Sequence, residues 1–169
     1  MPQRKILSIL IAAVAAIHTA SAQDWAQWRG PNRDGVVKDF VAPAKWPEKL
    51  KLIWKTEVGS GYSSPVVSKD RAWIHARKGQ YFCLEAATGK VLWITEGREG
   101  ANAAILNAKD ALLILTSDAN LIVAKKSAKG LEQVAKYSVA DSATYAHPVA
   151  MGNRILVKDD ASISLLAFE

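Results

Sequence analysis

The sequence predicts an all-β chain made of repeated four-stranded antiparallel units, and three observations carry that prediction. Short runs of β-branched and apolar residues alternate with Lys-Asp, Lys-Gly, Thr-Gly and Gly-Asn turn signals along most of the chain. Pro65, Ala104 and Pro148 stand at equivalent places in successive sets of runs, 39 and 44 residues apart, close to the roughly 40–45 of a four-stranded propeller blade. The stretch Leu84-Glu85-Ala86-Ala87-Thr88-Gly89-Lys90-Val91-Leu92-Trp93 reads as strand, tight turn, strand. Gly89 can adopt φ > 0 there without steric cost. Strict alternation puts Val91 and Trp93 on one face of the outgoing strand and Leu92 and Ile94 on the other. Apolar residues on both faces require a layer on each side, as in a stack of blades.

The N-terminal residues read as an export signal. Arg4 and Lys5 precede the apolar run Ile6 to Ile17, and Ala20-Ser21-Ala22 is a small-x-small cleavage pattern. The run is shorter than the ~20 residues of a spanning helix, so residues 1–22 are expected to be removed and no transmembrane anchor is expected. No Cys follows the cleavage pattern, so a lipid-anchor signal is absent from this reading. Without Arg4 and Lys5 the chain keeps 20 of its 22 basic residues against 16 acidic ones, a net charge of +4. Lacking a basic stripe, an exported chain of this kind is a poor nucleic-acid binder. Cys83 is the single cysteine. No intramolecular disulfide can form, and its place between Phe82 and Leu84 predicts a buried thiol.

Residues 23–49 form a Trp- and Pro-rich arm. Trp25, Trp28, Gly30-Pro31, Asp34-Gly35 and Trp46 between Pro43 and Pro47 offer turns and aromatics but no periodicity. Such an arm orders only by pressing its rings onto something else. Residues 50–58 (LKLIWKTEV) then alternate, with Leu52, Trp54 and Thr56 on one side, as a strand would. Gly59-Ser60-Gly61 is a linker: no helix follows it, so it is not a dinucleotide loop.

The first predicted blade, residues 63–96, has strands at 63–68, 71–77, 80–85 and 90–96. The second, residues 101–139, has strands at 101–108, 111–116, 121–126 and 131–139. The third, residues 146–169, has strands at 146–151, 154–158 and 162–168 and lacks a fourth. The first turn recurs three times, as Lys69-Asp70, Lys109-Asp110 and Gly152-Asn153, and the last turn twice, at Gly89 and Gly130. The spare strand 50–58 is expected to complete the third blade from its outer edge. About three blades fall short of the ~4–8 that close a ring, so the predicted ring is incomplete.

Ala87-Thr88-Gly89-Lys90-Val91-Leu92-Trp93 resembles the repeat of the pyrroloquinoline-quinone-like β-propellers, whose blades end in a Thr-Gly-Lys-x-x-Trp docking motif. Thr88, Gly89, Lys90 and Trp93 carry the resemblance, and residues 25–35 are similar to the N-terminal segment of exported bacterial members. That group includes the propeller subunit of the outer-membrane protein assembly machinery. The resemblance implies a longer ring, with a whole number of blades missing around residues 94–97.

Two functional classes follow from it. A non-enzymatic binding or scaffold protein, with a protein partner or a homodimer, needs only blade surfaces. A quinoprotein dehydrogenase would need pyrroloquinoline quinone with calcium. For that second class Cys83 lacks a paired cysteine, and no calcium-ligand or base residues match. A truncated product without independent function is a third reading. No catalytic, cofactor or metal residues are assigned. His75 and His147 show no metal spacing, and no nucleophile motif accompanies them. If the chain has a ligand or partner surface, it is expected at the first-strand entrances, where Tyr62, Ser63, Asn102, Tyr145 and His147 fall.

Overall fold

The computed structural model describes residues 24–34, 40, 42–76 and 79–168; the export signal lies outside them. Among the described residues eleven strands form three antiparallel sheets. The first sheet contains β1 (Val66–Ser68), β2 (Arg71–Ala76), β3 (Gln80–Glu85) and β4 (Val91–Ile94) in sequential order. The second contains β5 (Ala103–Ala108), β6 (Ala111–Thr116), β7 (Asn120–Lys125) and β8 (Glu132–Ser138), again in order. The third contains β9 (Val149–Met151), β10 (Arg154–Lys158) and β11 (Ile163–Ala167). No described helix is long and apolar enough to cross a membrane.

The repeat in sequence is a repeat in backbone. Lys69, Lys109 and Gly152 open the first hairpin turn of their sheets at φ values of 53°, 50° and 58°. The last turn does not repeat so closely. Gly89 sits at φ 72°, whereas Gly130 has an ordinary φ and open space around it.

The sheets are stacked face to face, and the second is apolar on both sides. Leu112 and Ile114 of β6 join Val66, Trp73, Tyr81 and Cys83 of the first sheet in one core. Leu113 and Leu115, one residue out of step, join Ile155 and Val157 of the third sheet in another. Strand periodicity of two sends neighbouring side chains to opposite layers. Each fully buried Leu or Ile contributes about 1.5–3 kcal/mol of hydrophobic stabilisation. The outer face of the first sheet buries Ala72, Phe82 and Leu84, with Val58 packed against them.

A bulge overturns one expectation at the Thr-Gly-Lys hairpin. Leu84 pairs with Val91 and Cys83 with Trp93, so Leu92 is the extra residue. Val91 therefore packs on the outer core while Leu92 and Trp93 both turn toward the second sheet. Val91 and Trp93 do not share a face, because a bulge shifts the alternation by one residue. Trp93 donates its indole N–H to the Ser127 carbonyl at 2.9 Å, tying the first sheet to the second.

The segment 50–58 is a second correction. It forms no strand, and β11 pairs only with β10. Trp54 instead donates its indole N–H to the Ala86 carbonyl at 3.1 Å, and Thr56 its hydroxyl to the Gly89 carbonyl at 2.6 Å. These bonds hold the segment on the last turn of the first sheet. Gly89 makes the docking feasible: a Cβ there would lie 2.6 Å from Trp54 Cδ2 and 2.8 Å from Thr56 Oγ1. Thr88 closes the same turn, donating its hydroxyl to the Glu85 carboxylate and accepting the Lys90 N–H. The Lys90 side chain is exposed.

The arm crosses the first-strand edges of all three sheets. Trp25 exchanges two backbone bonds with Val67 before β1 ends, at 2.9 and 3.0 Å, and the Ala26 carbonyl accepts Asn107 N–H at 2.8 Å. Arg33 donates to the Pro148 carbonyl, just before β9, at 2.7 Å. The edge groups of β1 and β5 that would otherwise face solvent unpaired thus gain partners.

Candidate functional site

All five surface residues expected from the sequence line one cavity. Tyr62, Ser63, Asn102, Tyr145 and His147 surround about 250 Å³ together with Ala103, Ala104 and Thr144. The floor is fixed by short-range bonding. Asn102 and Ser117 exchange two hydrogen bonds, with Ser117 N–H donating to the Asn102 carbonyl at 2.9 Å and Asn102 N–H donating to the Ser117 hydroxyl at 3.2 Å. Thr144, which is buried, donates its hydroxyl to the Thr116 carbonyl at 2.6 Å. This pins the connection between the second and third sheets against the β6–β7 turn, and it places Tyr145 and His147 at the rim.

A second, shallower cleft of about 610 Å³ adjoins the first and shares Tyr145 and His147 with it. Ala146 lies between those two, and the remaining lining residues, Trp28, Arg29 and Arg33, come from the arm. Trp28 stacks on His147 with ring centroids 5.5 Å apart, and the Arg29 guanidinium lies 5.6 Å from the Trp28 ring centroid. Trp28 thus contacts both an imidazole and a guanidinium, and its ring face attracts the cation. Burial lowers the His147 pKa, and the positive charge of Arg33 lowers it further. The imidazole therefore stays neutral near pH 7, which suits its place between aromatic and guanidinium groups. Arg33 is held rigidly, donating also to the Gln27 side-chain carbonyl at 3.0 Å.

The face remains open. Tyr62 is 92% exposed, Tyr145 71% and Trp28 51%. Three large aromatic rings at the surface beside two arginines are the residue types that dominate protein-binding hot spots. From sequence, Trp28 reads with Trp25 as a packing residue more readily than as a ligand-stacking platform, and Arg29, Arg33 and Thr144 carry no signal of a surface role. Arg33 and Pro148 are separated by 115 positions, and no local pattern reports a contact of that span.

His75 lies apart from this face, buried against Tyr81 with centroids 4.9 Å apart. Burial lowers its pKa, opposed by a hydrogen bond with the Gly100 backbone. Burial also pushes the Cys83 thiol up to about 11, against the pull of Arg71. Both are structural groups of the interior.

Stacked antiparallel sheets with a recurring left-handed first turn define a propeller-type repeat protein. More narrowly, the family model described as outer membrane protein assembly factor BamB matches residues 25–167, and the chain belongs to that family. Among solved structures it is similar to BamB from Moraxella catarrhalis, at 20% identity and a TM-score of 0.45, over 64% of this chain and 32% of that one. It is also similar to the quinohemoprotein alcohol dehydrogenase ADHIIG from Pseudomonas putida HK5, at 12% identity and a TM-score of 0.47, over 64% of this chain and 17% of that one. The computationally designed Ika4 protein matches at 9% identity and a TM-score of 0.38, over 69% of this chain and all of that one. The chain thus spans about a third of the length of the Moraxella BamB structure. No curated protein matches it.

Proposed function

We propose that the chain is an exported, non-catalytic binding module that docks a protein of the outer-membrane assembly machinery through the face built by Tyr62, Tyr145, Trp28 and Arg29. The carrying observation is the exposure of three large aromatic rings on one face beside two arginines. Rigid Tyr and Trp side chains give large contact area at low entropic cost, and Arg adds directional hydrogen bonding. Support also comes from the family, that of outer membrane protein assembly factor BamB.

The dehydrogenase alternative meets a donor set that does not suit it. Calcium takes about 6–8 oxygen ligands, rich in carboxylates. The two adjoining clefts are lined by hydroxyls, an amide, an imidazole, an indole and two guanidinium groups, with no carboxylate among them. Among the described residues no three His, Cys, Asp or Glu side chains are grouped as metal ligands.

The test is a binding titration against purified components of the assembly machinery, with Tyr145→Ala and Trp28→Ala beside wild type. A tenfold or greater loss, worth about 1.4 kcal/mol, is expected for each variant. Unchanged affinity in both would remove the face from the proposal. A second reading, self-association, is favoured by the outward side chains of the third sheet: Ile163 is 65% and Leu165 53% exposed.

A further inference from the structure

At the opposite end of the first two sheets lies a cleft of different character, about 470 Å³ in volume. The β1–β2 turn and β2 supply Ser68, Lys69, Arg71 and Trp73, and the second sheet supplies Asn107, Lys109, Asp110 and Lys126; Asp24 of the arm completes the lining. Two donors that belong to lining residues are buried without an acceptor, the Trp73 indole N–H and the Arg71 Nε–H. Trp73 is only 2% exposed. A buried donor without a partner forfeits its hydration uncompensated, so two of them side by side on one strand face call for an explanation.

Charge points the same way. Four cationic side chains line the cleft against two carboxylates. Of these, Asp24 already accepts the Ser68 hydroxyl at 3.0 Å and the Lys69 N–H at 2.6 Å. Asp70, outside the lining, forms an ion pair with Arg71 through Nη1 at 3.4 Å, leaving Nε–H unpaired. Lys126 donates to the Asn107 side-chain carbonyl at 2.8 Å, which holds its ammonium at the wall. The turn residues add a comparison within the molecule. Lys69 and Lys109, which flank the cleft, keep lysine at left-handed φ, whereas the equivalent position of the third sheet, away from it, is Gly152. Left-handed backbone is unfavourable for a non-glycine residue, so the two lysines stand where glycine would fit with less strain.

We propose that this cleft is a binding site for a phosphate group. Arg71 and Trp73 form its floor, and Lys69, Lys109 and Lys126 surround it. A tetrahedral dianion satisfies several donors at once, and charge-assisted bonds from guanidinium and ammonium are stronger than neutral ones. The group can belong to a free phosphate or to a phospholipid headgroup. This site shares no residue with the aromatic face and stands independently of the proposed function.

The test is nuclear magnetic resonance on the full chain at constant ionic strength. Inorganic phosphate should move the Trp73 indole N–H and Arg71 Nε–H resonances downfield in a saturable way. The Trp93 indole N–H, already donated to the Ser127 carbonyl, is the internal control and should stay in place. Lys126→Met should weaken binding about tenfold, the order expected for one charge-assisted bond. Arg71→Gln should abolish the shift, with the Trp93 resonance confirming that the variant is folded. Vesicles of phosphatidylglycerol that move Trp73 when free phosphate does not would assign the same site to a lipid headgroup. Equal response to acetate or chloride, movement of Trp93 alongside Trp73, or no saturable response to phosphate or vesicles would each overturn the proposal.

Discussion

Replacing Gly89 by Ala tests the docking of residues 50–58 on the first sheet. Two penalties coincide at this position. Gly89 has φ 72°, and an L residue in left-handed backbone costs about 1–2 kcal/mol. The added Cβ would also lie 2.6 Å from Trp54 Cδ2 and 2.8 Å from Thr56 Oγ1, so both side chains must withdraw. Their bonds to the Ala86 and Gly89 carbonyls are then lost, at about 0.5–1.5 kcal/mol each. The expected destabilisation is about 2–5 kcal/mol. Two other glycines separate the terms. Gly59 has φ 78° but nothing within 4 Å of a Cβ, so Gly59→Ala should cost only the backbone term, about 1–2 kcal/mol. Gly130 has neither strain nor neighbours within 4 Å, so Gly130→Ala should stay within about 0.5 kcal/mol. Urea unfolding followed by tryptophan fluorescence gives all three values. If Gly89→Ala costs no more than Gly59→Ala, the segment is not held on that turn.

Other perturbations follow the same logic. Trp93→Ala removes a ring packed on the inter-sheet core and its bond to Ser127, and should cost about 3 kcal/mol, the lower end for aromatic truncation because the ring is only partly buried. Lys90→Ala, on the same hairpin but exposed, should stay within about 0.5 kcal/mol in the same assay. With its pKa near 11, Cys83 should alkylate at pH 8 at least about a hundredfold more slowly in the folded chain than in urea, since the thiolate is the reactive form; equal rates would place the thiol at the surface. His75 has a folded pKa below its ordinary 6.5, so between those values the unfolded chain binds more protons. Its contribution to stability is therefore complete above about 6.5 and is lost as pH falls through the folded pKa. Thermal melts from pH 7.5 down to 5 should show that decline, and His75→Phe should flatten it. Light scattering across a dilution series should show the chain self-associating, and Leu165→Lys on the exposed third sheet should reverse this; a monomer at every concentration contradicts the second reading.

Much of the architecture was legible because sheets report themselves locally. The strands 80–85, 111–116 and 154–158 match β3, β6 and β10 residue for residue, as expected where turn residues bracket uniform apolar runs. The first-turn repeat was legible too, since Lys69, Lys109 and Gly152 adopt one backbone conformation. Alternation failed at Leu92, where a bulge adds a residue that no composition rule announces. It failed again at residues 50–58, where a strand-like pattern is used for side-chain docking: Trp54 and Thr56 do share a side, but the side faces a turn. The five expected surface residues do converge, because first-strand entrances of stacked sheets are neighbours in space. The arm's contribution, Trp28, Arg29 and Arg33, depends on contacts across more than a hundred positions, and a single sequence carries no trace of them. The cleft proposed for phosphate is hidden for a related reason: Lys69 and Lys109 read from sequence as turn residues, and only the stacking of two sheets brings them together with Lys126.

The aromatic face, and not the rest of the surface, is the one proposed to meet a protein of the assembly machinery. Photo-crosslinking from single positions in the source cells addresses it most directly. A photoreactive residue is placed in turn at Tyr62, Tyr145, Lys90 and Val134, the last two exposed on outer strands and hairpins away from that face. The account predicts one discrete crosslinked species from Tyr62 and Tyr145, identified by mass spectrometry as a component of the outer-membrane assembly machinery, and none from Lys90 or Val134. Equal crosslinking from all four positions, or a discrete adduct only from Lys90 and Val134, would contradict it.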